Sequence, residues 1–163
     1  MPFDFTILCA NAPLRVATCN LLKQNLEEIG VRCTVRPLEP ATLFEAMEKH
    51  NYQANFGGWG TGADPSTIKN IWQTGEGRNY LGYSNPKVDQ LLLDAKKTFD
   101  RDEQMAIYQQ IHEQINEDHP YTFLYYQNSF YAFSKKLRGY RFSPRGPYHY
   151  SPGIGAVWTP VGY

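Results

Sequence analysis

An excess of charge of either sign is missing from this chain. Sixteen Lys and Arg balance sixteen Asp and Glu over 163 residues, with no long run of one sign. Phosphate backbones are held by basic surfaces, so this balance argues against nucleic acid as a partner. The short basic group Lys135, Lys136, Arg138, Arg141 and Arg145 reads as a solvated edge. Long apolar runs are lacking too: none approaches the roughly 18 to 20 residues that span a bilayer. The start Met1-Pro2-Phe3-Asp4 has neither the positive opening nor the apolar stretch of a secretion signal. If the natural protein is exported, these residues do not show how.

Cysteine is scarce. Cys9, Cys19 and Cys33 have no metal-ligand spacing, and an odd count argues against a disulfide framework. They are expected to be buried thiols. The patterns of catalysis are equally sparse. His112 and His119 stand seven residues apart, which is no zinc-helix spacing, and His50 and His149 are isolated. Neither a Gly-x-Ser-x-Gly elbow nor a phosphate loop occurs. Asp89, Asp94, Glu103, Glu113 and Glu117 fit solvated helix faces or caps. No enzyme, catalytic residue, metal site or cofactor is expected, because no acid, base and nucleophile are placed to act together.

Aromatic residues are abundant instead: twelve Tyr, nine Phe and three Trp, many in the second half. They fit a core built with rings, a ligand pocket walled by them, or both.

The order of elements reads as α/β. Phe3 to Cys9 alternates and then turns apolar, which suits a strand. Asn11-Ala12-Pro13 suits a helix start with Asn as the cap. Leu14, Ala17, Leu21, Leu22, Leu26 and Ile29 follow at helical spacing, and Gly30 is a left-handed stop. Val31 to Val35 is a second strand, giving a β-α-β unit with parallel strands. Pro40 to His50 is a helix with Leu43, Phe44 and Met47 inward, and Gln53 to Trp59 is a third strand. A short helix is expected over Ser66 to Trp72. In the second half, Asn85 before Pro86 caps a helix with Val88, Leu91, Leu92 and Ala95 on its apolar stripe. Asp100 opens another, with Glu103 completing a capping box and Met105, Tyr108, Ile111 and Ile115 inward. Tyr121 to Tyr126 is β-rich, and from Gly139 the chain is irregular and rich in Pro, Gly and Tyr.

Between the third strand and the next helix stands "GGWGTGADP", residues 57–65. Glycine density of this kind lets something approach closely, here beside the ring of Trp59. Ligand sites in open α/β sheets lie beyond the carboxyl ends of the strands, where this loop belongs. Trp59 also fits a core position at a strand end, and Asp64 fits a helix cap before Ser66 better than a ligand contact.

Taken in order, "GWGTGADPS", the run from Asn79 to Tyr126 that contains "GYSNPKVDQLLLDA" and "NEDHP", and "LRGY" resemble the carboxyl-terminal part of bacterial extracellular solute-binding proteins of family 5. These are peptide- and nickel-binding receptors that serve ABC importers. Upstream, "FDFTILCANAPLRVATCNLLKQNLEEIGVRCTVRPLE" resembles the family's strand-helix-strand. The match covers most of the chain, most clearly residues 3–140.

The resemblance implies a periplasmic-binding-protein-like (type II) lobe: a small mixed sheet flanked by helices, incomplete without an amino-terminal part. Such receptors have two closing lobes and run about three times longer than this chain. Residues 1–138 would form the α/β solute-binding lobe, and 139–163 an aromatic tail packing on the missing part of the parent. The implied function is capture of a small solute, a peptide foremost, for import. The implied partners are that solute, an ABC-transporter permease and the missing amino-terminal lobe. The implied location is periplasmic or extracellular, with lipid anchoring left open. The ligand-binding residues would be Trp59, Gly60, Thr61, Gly62, Asp64, Arg78, Asn79 and Tyr80, the last three also fitting ordinary loop structure.

One departure matters. Peptide receptors of this family often place an acidic residue a few positions after the Trp, to pair with the peptide amino group. Here those positions hold Gly60, Thr61, Gly62 and Ala63, and only Asp64 is acidic. The solute class therefore stays open among peptides, metal chelates and other small solutes. A free-standing α/β enzyme and a module whose aromatic tail docks on a partner are the alternative readings.

Overall fold

Alternation along the first strand decides the layering. In the computed structural model, which describes residues 3–60, 64–128, 130–141 and 153–160, β1 (Asp4–Ala10) turns Ile7 and Cys9 to one face and Leu8 to the other. It is the central strand, with β2 (Arg32–Leu38) and β3 (Ala54–Phe56) parallel to it on either side. Asp4 pairs with Arg32 and Ala10 with Leu38 across one edge, and Ile7 with Ala54 across the other. Over the described residues this sheet is wholly parallel, where the resemblance implies a mixed one. Its third strand is shorter than the sequence suggests, because the backbone leaves the ladder at Gly57.

Helix α1 (Pro13–Glu28) covers the Ile7 face with Val16, Cys19 and Leu26, and Cys33 closes this half of the core. On the opposite face, Leu43 and Met47 of α2 (Pro40–Glu48) pack with Leu8 and Tyr80. Two expectations fail here. Leu14, Leu21 and Ile29 are exposed, at 52%, 58% and 74%, as is Phe44. At about 100° per residue, Leu14, Ala17 and Leu21 lie nearly opposite the Cys19 side of α1, so one sheet cannot bury both stripes. The helix caps differ as well. Ala12, not Asn11, is the cap residue of α1, and the Asn11 amide donates to Glu39 Oε1 (3.3 Å).

All three cysteines lie buried and free in the α1-side core. Burial, with a hydrogen bond to Cys9, pushes the Cys19 thiol up to about 12. Only thiolate reacts with disulfide reagents, so the native chain should titrate no thiol with a colorimetric disulfide reagent and three in denaturant. A fast-reacting native thiol would contradict this packing.

After the third strand, a 3-10 turn (Pro65–Ile68) leads into the short helix α3 (Lys69–Trp72). The hairpin of α4 (Pro86–Lys97) and α5 (Arg101–Asp118) follows, capped by Asn85 and Asp100, whose side chains accept first-turn N–H groups. Val88, Leu92 and Ala95 are buried on α4, and Tyr108, Ile111 and Ile115 on α5, while Met105 is 56% exposed and leaves the expected stripe. Asp118, at the last turn of α5, accepts from Tyr83 Oη (2.5 Å), Asn85 Nδ2 (2.6 Å) and Gln114 Nε2 (2.9 Å), clamping the end of α5 to the start of α4. These donors, Tyr83 foremost, hold its carboxyl below the usual range. A depressed carboxyl stabilises the fold above its unfolded-state pKa and loses that contribution as pH falls through its folded value. Thermal melts should therefore separate wild type from Asp118→Asn at pH 7, and the gap should close below about pH 4. A gap independent of pH would rule the clamp out.

The chain divides into two compact units, 1–120 and 121–163. In the second, Arg138 and Trp158 form an antiparallel bridge, and Phe133 stacks on Tyr140 (4.6 Å, 5°). Gly139, at φ +78, lies against the Ala156 carbonyl where a side chain would collide. Tyr121 to Tyr126 forms no strand. Strand propensity expresses fit to a pleated, half-buried surface, and Phe123 and Tyr126 are exposed.

Candidate ligand-binding site

Because the strands are parallel, their carboxyl ends at Ala10, Leu38 and Phe56 open on one edge of the sheet. The loops that leave them carry Asn11, Glu39 and the glycine run before Trp59. No side chain caps α1 or α2, which begin at the same edge with Pro13 and Pro40 in their first turns. Backbone donors therefore face this edge, a setting that favours anionic and carbonyl groups.

Trp59 is half-buried and stacks on Tyr80, with ring centroids 5.5 Å apart and planes at 24°. Tyr80 is itself buried in the α2-side core with Leu8, Leu43 and Met47. The core reading of Trp59 holds in part: its ring is half-buried and packs on the α2-side core through Tyr80. The glycines around it are informative. Gly58 and Gly60 have no left-handed backbone, and a side chain added at either would meet nothing within 4 Å. Among the described residues, neither a left-handed backbone nor packing accounts for glycine at these two positions.

The 78–80 stretch separates into different roles. Asn79 is buried and satisfied within its own loop. Its Nδ2 donates to the carbonyls of Gln73 (3.1 Å) and Tyr83 (2.7 Å), and its Oδ1 accepts from Tyr83 N (2.9 Å). Tyr80 backs Trp59, and Arg78 is exposed. Asp64 caps the 3-10 turn by accepting from Ser66 N (2.9 Å), as a cap reading expects. Burial first, and then the charge of Asp64, raises the Tyr108 hydroxyl, so Asp64 also acts toward α5. Thr61 and Gly62 lie outside the described residues.

Two residues not among the expected ligand contacts join this group. His50 Nδ1 and Tyr52 Oη each lie 2.7 Å from the Tyr80 carbonyl oxygen, which accepts from both. The available signal was a histidine at the residue past a helix end, where glycine is usual. Between the 3-10 turn and α5 lies an open groove of about 490 Å³, lined by Pro65, Ile68, Met105, Tyr108, Gln109 and His112 among others. Among the described residues, no group of three or more His, Cys, Asp or Glu is placed to hold a metal ion. An aromatic face anchored on one side, near helix N-termini, is an arrangement that suits binding.

No family model matches the chain. Comparison with individual proteins is more informative. The chain is 36% identical over 129 residues to the oligopeptide-binding protein AppA of Bacillus subtilis, covering 77% of this chain and 24% of that protein. It is 28% identical over 137 residues to the probable D,D-dipeptide-binding periplasmic protein DdpA of Escherichia coli, covering 81% and 26%. The solved structure of B. subtilis AppA with a nonapeptide superposes with a TM-score of 0.83 at 29% identity, over 97% of this chain and 32% of that one. The chain spans about a quarter of the length of these curated relatives, both of which are named as peptide-binding proteins. On this sequence and structural likeness, the chain belongs to family 5 of the bacterial extracellular solute-binding proteins.

Proposed function

We propose that this chain is the carboxyl-terminal lobe of an exported receptor that captures a peptide for an ABC importer, with Trp59 as one wall of the pocket. The observation that carries the reading is the Trp59–Tyr80 stack, standing at the carboxyl edge of a parallel sheet between glycines where an added side chain would meet no described atom within 4 Å. Gly60, Thr61 and Gly62 give the peptide backbone access, and Arg78 offers a cation at the rim. Asn79 and Tyr80 act from behind, as supports. Asp64 is engaged as a cap, so the peptide amino group has no dedicated carboxylate in this loop, and recognition rests on the ring and on backbone groups.

The surface supports incompleteness. Leu14, Leu21, Phe99, Tyr126 and Phe130 are large apolar side chains left exposed, surface that a second lobe would be able to cover. In the proposed receptor an amino-terminal lobe covers part of this surface and supplies the other half of the pocket. The aromatic tail, 139–163, packs on that lobe, and the permease is met by the closed two-lobe form. The receptor works outside the cytoplasmic membrane.

Calorimetric titration with oligopeptides tests the reading. This chain alone should bind weakly or not at all, while a two-lobe protein containing it should bind. In the two-lobe protein, Trp59→Ala should cost about 2 kcal/mol, roughly 30-fold in Kd, the scale of an aromatic anchor. Tight binding by the lone chain, or an unaltered Kd in the variant, would count against it.

A further inference from the structure

We infer that His50 and Tyr52 are positioning residues for the ligand wall: together they fix the Tyr80 carbonyl, and through it the ring on which Trp59 rests. The inference rests on the reading of Trp59 as a pocket wall and extends it to what holds that wall in place.

The starting point is an unusual backbone. Helix α2 ends at Glu48, Lys49 caps it, and His50 follows at φ +52, closing the end with His50 N to Met47 O (3.1 Å) and Asn51 N to Ala46 O (2.8 Å). Glycine normally takes this left-handed position because a β-carbon strains it. A side chain kept there calls for a use. His119 makes an instructive contrast. It is left-handed too, at φ +47, but its ring stays within its own helix end, 3.1 Å from Glu117 O. The His50 ring reaches thirty positions along the chain to Tyr80 O.

A carbonyl oxygen only accepts, so His50 Nδ1 carries a hydrogen and donates, and Tyr52 Oη donates to the same oxygen. Two donors fill the two lone pairs of one carbonyl. That is more than satisfaction requires, and it fixes the peptide plane from two directions. From the other side, the Asn79 amide ties the same turn to Gln73 and Tyr83. The Tyr80 backbone is thus held on both flanks, which sets where its ring lies under Trp59.

Chain connectivity makes the arrangement a local ruler. Residues 50–52 run directly into β3, and β3 into the loop that carries Trp59. One short stretch therefore determines both members of the stack, Trp59 through the covalent chain and Tyr80 through two hydrogen bonds.

The test separates positioning from plain stability. His50→Gly removes the ring and relieves the left-handed backbone, so a merely structural His50 predicts an equal or higher unfolding midpoint and an unmoved Trp59. Positioning predicts that His50→Gly combined with Tyr52→Phe shifts and broadens the Trp59 resonance in fluorotryptophan-labelled chain, with Trp59→Phe giving the assignment. It also predicts that affinity of the two-lobe protein for a random nonapeptide pool falls about tenfold. His50→Asn should recover part of both effects, because asparagine tolerates the left-handed backbone and its amide can donate. An unmoved Trp59 resonance in the double variant overturns the inference. A moved resonance with unchanged peptide affinity, in that variant and in Trp59→Ala alike, refutes the wall reading and the inference with it.

Discussion

An Ile111→Ala variant should unfold with about 2–5 kcal/mol less stability than the parent chain. Ile111 is fully buried and lies between Tyr108 and Ile115 on the inner stripe of α5, which packs against α4 with its buried Val88, Leu92 and Ala95. Truncation removes apolar burial and leaves a cavity that helices held at both ends collapse into poorly. Domains of this size are stable by about 5–15 kcal/mol, so the loss takes a large share. Urea unfolding followed by circular dichroism should show a lower midpoint with an unchanged slope. Ile111→Val should cost only about 0.5–1.5 kcal/mol. Met105→Ala, on the same helix but 56% exposed, should stay within about 0.5 kcal/mol of the parent. If Ile111→Ala and Met105→Ala behave alike, the packing of α4 on α5 is wrong.

Asn79→Ala should destabilise the chain strongly near the site. The side chain is 6% exposed and makes three hydrogen bonds, two from Nδ2 and one to Oδ1. Alanine leaves the carbonyls of Gln73 and Tyr83 and the Tyr83 N–H without these partners. Each buried orphan costs about 1–3 kcal/mol, and water reaching the loop offsets part, which puts the net near 3 kcal/mol. Asn79→Asp should be worse, despite its matching shape. It replaces two donors with an anionic oxygen facing two carbonyl oxygens, where no counter-charge is supplied. Urea unfolding should rank the stabilities Asn79 above Asn79→Ala above Asn79→Asp at pH 7. Equal stability of Asn79→Asp and the parent would show that the amide does not hold this loop. Because the loop seats Tyr80, both variants should also disturb Trp59.

Some of these elements were plain in the sequence and others were not, for physical reasons. Asn85 before Pro86, Asp100 before a polar first turn and Gly30 after a helix all declare local geometry that needs only neighbouring atoms. The strand-helix-strand was legible for the same reason, since alternation and helical spacing are local patterns. Burial was harder. Leu14, Leu21 and Phe44 have the spacing of core residues, yet which of two apolar stripes meets the sheet depends on where the sheet lies. The loop with Trp59 stood out for its glycines, but the support of that ring did not show. The bonds from His50 and Tyr52 to Tyr80 join positions about thirty apart, and no periodicity marks them. Asn79 was singled out as a polar contact for solute, whereas its amide faces inward and completes the turn.

Burial of Cys9, Cys19 and Cys33 has a practical consequence for measuring this protein. With its native sulfurs shielded, the folded chain is a blank background for maleimide dyes. A single cysteine introduced by Gly60→Cys, where a side chain meets no described atom within 4 Å, would take an environment-sensitive fluorophore without removing any native cysteine. The brightness of that label would then report on the surroundings of Trp59 without interference from the native thiols.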